Sequence, residues 1–324
     1  MENCQEDLCV QLAFENKLDL EVTMLPEITD DLNESTEILG LGDRMKQYEL
    51  HNDTHRVNSY EEYIVRMDGK GFSKFTKSMD KPFDFLFVLA MNRTAGDILK
   101  EFNAKTVYTH SDEITAIFDK VCTEEEYNTD VTKKNHLYNG RAQKIISHMA
   151  AFCSVRFNYH IVGLMASPEN RTKYPEQFVR ILEEFKQTFD ARLITFDRKR
   201  EEIVNHQIWR SCYDCHRNAI STYARRYFSY KEVKGKNSTD MIGMMQGKGL
   251  DWAIVPTYLK HGIYCKKELY NKVLEDGTTC VRTRPVFKAF KINFSPENVE
   301  LMLSSYWTEN TFEDVSALID YKSN

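Results

Sequence analysis

Three acidic residues in this chain have the type and setting for metal-ion chemistry. Asp68 follows the β-prone run Tyr63-Ile64-Val65-Arg66-Met67 and precedes Gly69-Lys70-Gly71, so it ends a strand where two glycines permit a tight turn and close approach of a ligand to the backbone. Asp112 and Glu113 lie between residues 105–110 and 114–118, two β-prone runs joined at a polar turn. Carboxylates on neighbouring strand ends can hold a pair of Mg²⁺ ions. Such a pair neutralises a triphosphate, aligns a hydroxyl nucleophile and stabilises departing pyrophosphate. Mg²⁺ selects hard oxygen donors and keeps phosphate oxygens and waters in its shell. The amides of Gly69, Lys70, Gly71 and Phe72 add an anion nest suited to phosphates. An Asp-Gly strand end is also an ordinary turn, and Asp-Glu an ordinary solvated hairpin tip, so the spacing alone leaves both readings open.

The elements that must position these acids follow from periodicity. A helix is expected over residues 81–102, with Phe85, Leu86, Leu89 and Ala90 on one face, a polar loop over 122–138, a second helix over 141–158, and a strand over 192–196. The resulting β-α-β-β-α-β order is that of ferredoxin-like folds and polymerase palms. Helices are expected to dominate from Lys199 onward. The fold class read from this is α+β: a palm-like catalytic domain at 38–198 and a mainly helical part at 199–324, behind an acidic extension at 1–37.

The net charge of −6 argues at first against a nucleic-acid partner. It is unevenly placed. Residues 1–37 hold eleven Asp or Glu and the single Lys17, so the −6 of the chain less the −10 of this segment leaves +4 on the rest. No run reaches transmembrane length and no secretory pattern opens the chain, so a soluble, intracellular and by default cytoplasmic protein with reduced thiols is expected, with no membrane partner.

Six blocks in order resemble the tRNA-histidine guanylyltransferase family: Met67-Asp68-Gly69-Lys70-Gly71-Phe72-Ser73-Lys74-Phe75, Lys81-Pro82-Phe83-Asp84, His110-Ser111-Asp112-Glu113, Arg141-Ala142-Gln143-Lys144-Ile145, Asp214-Cys215-His216-Arg217-Asn218 and Lys248-Gly249-Leu250-Asp251-Trp252. The match spans about residues 41–270. The resemblance implies a reverse polymerase that adds nucleotides 3′-to-5′ to tRNA, with two Mg²⁺ ions, ATP and GTP or other triphosphates as substrates, and a homo-tetrameric assembly. It implies that Asp68, the Gly69 carbonyl and Asp112 ligate the metals and that Glu113 supports them. By the same resemblance Lys81 and Asp84 lie by the activating nucleotide, and Ser111, Arg141 and Lys144 meet phosphates. Lys70 and Ser73 stand where the family commonly has Arg and His.

Cys212-Tyr213-Asp214-Cys215-His216 also spells C-x-x-C-H, a haem, zinc or redox spacing. Haem attachment needs export, zinc commonly a second ligand pair, and a redox pair a thioredoxin-like context; none is present, and the spacing is read as incidental. His216 and Asn218 instead resemble the family's helical D-C-H-x-N element, near nucleotide or tRNA. From Arg210 to Lys236 there are seven Lys or Arg against Asp214 and Glu232, interleaved with aromatics, which suits tRNA contact by Arg210, Arg217, Arg225 and Arg226. In the guanosine-adding branch this element typically reads H-I-N-N-L-Y-N, so Arg217, Ala219, Ile220 and Ser221 point to the branch that repairs tRNA 5′ ends by template. A palm-like nucleotide cyclase and a catalytically inactive RNA-binding protein are the competing functions; the basic C-terminal part and the intact acids count against them.

Overall fold

The computed structural model describes residues 41–52, 55–129, 135–308 and 311–321. The acidic extension at 1–37 lies outside them. The chain divides into two compact units, up to Glu49 and from Leu50 onward. Of the first, the described residues belong to the helix Leu41–Asn52. Everything below concerns the second.

Its centre is a β-α-β-β-α-β unit: β1 (Tyr63–Gly69), α1 (Phe85–Glu101), β2 (Thr106–His110), β3 (Glu113–Phe118), α2 (Ala142–Met165) and β4 (Phe189–Thr195). The strands pair antiparallel in the order β4-β1-β3-β2. Alternation decides what each face meets. Tyr63, Val65 and Met67 join the core under α1 and α2, with Ile98, Leu99, Met149 and Phe157, whereas Ile64 turns to the opposite face. Met67, Ile98 and Phe157 are fully buried, and burial of such side chains stabilises by about 1.5–3 kcal/mol each. α1 starts where Asp84 caps the amides of Leu86 and Phe87, and Asn103, at φ 52°, turns the chain out after it.

From there the structure departs from the sequence reading. The polar stretch expected as a loop contains the helix Glu124–Thr129, started by a Thr123–Glu126 capping box. After β4 come α3 (Glu202–Ile208), a π-helical turn Trp209–Asp214, α4 (Cys215–Tyr227) and α5 (Ser238–Gln246), so helices do dominate as far as His261. Beyond it a long ribbon follows, β5 (Ile263–Val273) and β6 (Thr279–Ala289), then α6 (Pro296–Leu303) and β7 (Glu313–Asp314). β5 pairs with β2, which among the described residues extends the palm sheet to seven strands. The expected boundary at 198/199 falls between β4 and β5, which are strands of this one sheet, and Tyr264 packs against Tyr108 in the core on the face that α3 and α6 cover.

Candidate active site

The register of β1 and β3 sets Asp68 directly opposite Glu113. Gly69 donates its N–H to the Asp112 carbonyl at 3.0 Å, which ties the strand end to the hairpin turn. At that turn Ser111 holds φ 54°, and its hydroxyl donates to Asp112 Oδ1 at 3.1 Å. The three acids thus share one end of two neighbouring inner strands of the sheet. Burial is the largest influence on all three. It raises Asp68, with Arg66 pulling down and Glu113 and Asp190 pushing up; it raises Asp112, to which the Asp68 charge adds. For Glu113 the hydrogen bonds and charges of Arg66 and Arg210 outweigh burial and hold the carboxyl below its ordinary value.

A ladder of alternating charge runs from this end into the helical part. Arg66 Nη2 lies 2.5 Å from Asp68 and 2.7 Å from Glu113. Arg210 bonds the other Glu113 oxygen and, at 2.8 Å, Asp214, which also takes Arg217 at 2.5 Å. The π-helical turn supplies both Arg210 and Asp214. Arg210 is only 4% exposed, so its expected contact with tRNA is corrected: both Nη atoms are committed inside the protein. Arg217, Arg225 and Arg226 are exposed, as a phosphate contact requires.

Beside Asp112 opens a cleft of about 470 Å³ lined by Ser73, Lys81, Asp84, Ser111, Arg225 and Arg226. Residues from the glycine-rich block, the Lys81–Asp84 block and the basic helix therefore converge. Their individual placements differ from expectation at several points. The amides of Gly69 and Lys70 are already bonded, to Asp112 and Thr188, so the nest reduces to Gly71, Phe72 and Ser73 at the start of a short helical turn. What approaches Gly69 closely is the Phe72 ring, 2.5 Å from where a Cβ would sit. The Phe72 side chain is core, packed on Phe75, Phe87, Phe157 and Phe189, and offers a ligand its backbone alone. Lys70 is exposed. Asp84 is 3% exposed and accepts from Asp80, Leu86 and Phe87 amides and the Tyr174 hydroxyl, so its role is to cap α1 and hold the cleft wall. Lys81 donates to the Thr76 carbonyl at 2.8 Å.

Arg141 and Lys144 are not brought to this end. Arg141 bridges Arg56 at the start of α2, which follows the Phe118 end of β3, and Phe118 pairs with Tyr63, the far end of β1 from Asp68. Five residue steps lie between Tyr63 and Asp68, about 17 Å. Lys144 sits over the Tyr138 ring. In the D-C-H-x-N element, Asn218 is exposed, whereas His216 stacks on His261 with centroids 4.9 Å apart and accepts from Trp252 Nε1 at 3.2 Å. Burial lowers the His216 pKa, which suits this acceptor role. Cys212 and Cys215 are free thiols; Cys212 donates to the Ile292 carbonyl and Cys215 is buried.

Sequence reasoning missed Arg66. Its signal was available, since it precedes Asp68 by two on a strand and so shares its face. Among the described residues no group of three or more His, Cys, Asp or Glu side chains is arranged to hold a metal. Asp68, Asp112 and the Gly69 carbonyl would nevertheless offer the oxygen donors that Mg²⁺ takes, and a cation there would relieve two carboxylates that burial raises.

A family model described as tRNAHis guanylyltransferase matches residues 42–197. The chain is 33% identical to an uncharacterised protein of Acanthamoeba polyphaga mimivirus over 285 residues, 87% of this chain and 94% of that protein. It is 30% identical to the tRNA(His) guanylyltransferase of Debaryomyces hansenii over 183 residues, 54% of this chain and 57% of that one. Among solved structures it is similar to a bacterial tRNA(His) guanylyltransferase-like protein in complex with ATP, at 28% identity and a TM-score of 0.56, covering 75% of this chain and 92% of that one. The complex with GTP has the same identity and TM-score, with 76% and 89% covered. The six ordered blocks, the β4-β1-β3-β2 palm and the acids at its strand ends agree with these matches, and the chain belongs to the tRNAHis guanylyltransferase family.

Proposed function

We propose that this protein is a Mg²⁺-dependent nucleotidyltransferase that adds nucleotides 3′-to-5′ to the 5′ end of tRNA and that it works as a template-dependent repair enzyme. The observation that carries the reading is that Asp68 and Asp112 meet at one strand end and that Ser111, the neighbour of Asp112, lines a cleft with Lys81, Arg225 and Arg226. Two metal ions held by Asp68, Asp112 and the Gly69 carbonyl would supply charge neutralisation at the triphosphate. The protein's own groups do the rest. Lys81, Arg225 and Arg226 bind phosphate oxygens in the cleft, with Ser111 and the amides of Gly71 to Ser73 at its rim. Glu113, ionised and fixed by two guanidiniums, holds Arg66 against the metal-binding strand end. The adding step joins a nucleotide's 3′-hydroxyl to the activated 5′ phosphate and expels the activating group.

Repair rather than addition of one untemplated guanosine is favoured by the outward face of α4. Of the four departures in its first turns, Ala219 and Ile220 are fully buried and bear on packing, while Arg217 is exposed and offers a phosphate contact in place of an apolar side chain. A contact to phosphate holds any nucleotide, and the opposite strand then selects the base. Guanosine addition is the second reading, favoured by the activity for which the yeast relative is named. A homo-tetramer, which rests on the family resemblance, is checked by light scattering.

The test is competition between a 5′-truncated tRNA and full-length histidine tRNA lacking its extra guanosine, with Mg²⁺ and each triphosphate in turn. Repair of the truncated tRNA with whichever nucleotide pairs is expected. Preference for the histidine tRNA with GTP alone decides for the second reading.

A further inference from the structure

At the end of α1 remote from the cleft, α1 and α2 enclose a second cavity, of about 320 Å³, lined by Arg93, Asp97, Lys100, Arg156, Tyr159 and His160 among others. Phe87, on the cleft wall, and Asp97 are ten residues apart, about 15 Å along the helix. The C-terminal residues Asp320 and Tyr321 close one side.

Three cations share this concavity with two carboxylates, and the carboxylates do not balance them. Asp97 is fully engaged. It accepts from Arg156 Nε at 2.5 Å and the Tyr321 hydroxyl at 2.7 Å, and lies 2.6 Å from His160 Nε2. Asp320 is mostly in solvent and 3.8 Å from Arg93, beyond hydrogen-bond reach. Arg156 is organised on two sides, by Asp97 and by stacking over the Tyr159 ring at 4.5 Å, yet among the described residues its Nη atoms have no partner. Lys100 has none either among them, and Arg93 spends its Nε on the Ile319 carbonyl. Ordering a guanidinium while leaving its fork open creates the donor arrangement that phosphate oxygens fill.

We propose that this cavity is a second anion site, which binds a phosphate group away from the carboxylate-bearing strand ends. The group is either a free phosphate or pyrophosphate ion or a phosphate of an RNA strand. The assignment is independent of the reaction proposed above, since it uses no residue of the cleft. A bound phosphate joins Arg93 and Lys100 of α1 to Arg156 of α2 and lies against the C-terminal segment that seals the pair.

The test uses the full chain without divalent metal or triphosphate, titrated calorimetrically with inorganic phosphate, with pyrophosphate and with a short RNA hairpin. Lys100→Gln, an exposed change that leaves the fold alone, is expected to weaken binding roughly tenfold, the value of one charge-assisted hydrogen bond. Arg156→Gln should weaken it further. A loss confined to the free anions identifies a small-ion site; a loss confined to the hairpin identifies an RNA contact. Binding of all three unchanged in both variants overturns the proposal, as does binding that survives in them but is lost in Arg225→Gln, which would place the anion in the cleft.

Discussion

Arg66 bridges the two strands that carry the acids: its Nη2 lies 2.5 Å from Asp68 Oδ2 and 2.7 Å from Glu113 Oε1, and its Nε also bonds Glu113. It is anchored on Glu113 by two bonds and on Asp68 by one, so Asp68 is the contact that a metal ion bound there would displace. Arg66→Gln is expected to tighten Mn²⁺ binding several-fold, about 1 kcal/mol after solvent screening, because a competing cation is gone. Nucleotide addition should fall at the same time. Unchanged or weaker Mn²⁺ affinity by calorimetry would show that Arg66 does not compete for Asp68.

Asp68→Asn and Asp112→Asn should each reduce nucleotide addition by roughly 10²–10³-fold or more, as removal of a charge-stabilising group does. Their stability should move the other way. The folded pKa of Asp112 is raised above its ordinary 3.8, so the native state binds more protons than the unfolded one between those two values. Stability is lost as pH rises through that window, and the penalty is complete above the folded pKa. Asp112→Asn removes it, so thermal scans at pH 7 should show the variant melting higher, with the gap closing below pH 4. A variant that melts lower at pH 7 would contradict this electrostatic account.

Arg210 and Arg217 separate burial from surface contact. Arg210→Ala leaves Glu113 and Asp214 short of a buried partner and should destabilise by about 3–5 kcal/mol in denaturant titrations. Arg217→Ala should change stability by less than about 0.5 kcal/mol. It should weaken tRNA binding and lower the salt dependence of affinity by about one ion, read from filter binding at several salt concentrations.

Asp84 tests a motif residue that the structure assigns to folding. Asp84→Ala removes an N-cap and strands the buried Tyr174 hydroxyl, a loss of about 2–4 kcal/mol. Tyr174→Phe should cost about 1 kcal/mol and spare triphosphate affinity. If the affinity for ATP falls tenfold in Tyr174→Phe without loss of stability, Asp84 acts on the nucleotide after all.

The palm was legible because its signals are local. β1 and the β2–β3 hairpin carry β-branched and aromatic runs with turn residues between, and α1 keeps its apolar face, so type and order could be read from neighbours in sequence. The ribbon was not. β5 reads Ile-Tyr-Cys-Lys-Lys-Glu-Leu, and Lys266 is fully buried there, donating to Thr106 Oγ1 and the Leu301 carbonyl. A buried lysine satisfied by carbonyls from elsewhere in the chain breaks the alternation on which strand reading depends. Arg210 was misread for a related reason: a run of basic residues looks like surface until the carboxylates that absorb them are in place. Asp84 carried both a motif and a cap signal ahead of Phe85-Leu86, and the cap is what the helix uses.

The pairing of β2 with β5 has a consequence for how the chain emerges during synthesis. Tyr108, fully buried in the finished protein, donates its hydroxyl to the His261 carbonyl, 153 residues later. At about 5–20 residues per second that partner arrives roughly 8–30 s after Tyr108. Throughout this interval the nascent palm presents β2 as a bare hydrogen-bonding edge with an aromatic side chain beside it, a template for neighbouring chains on a polysome. The ribosome-bound intermediate, rather than the finished enzyme, is therefore the species most in need of a holding chaperone, and slowing translation between residues 110 and 263 should lower soluble yield without altering the protein that is recovered.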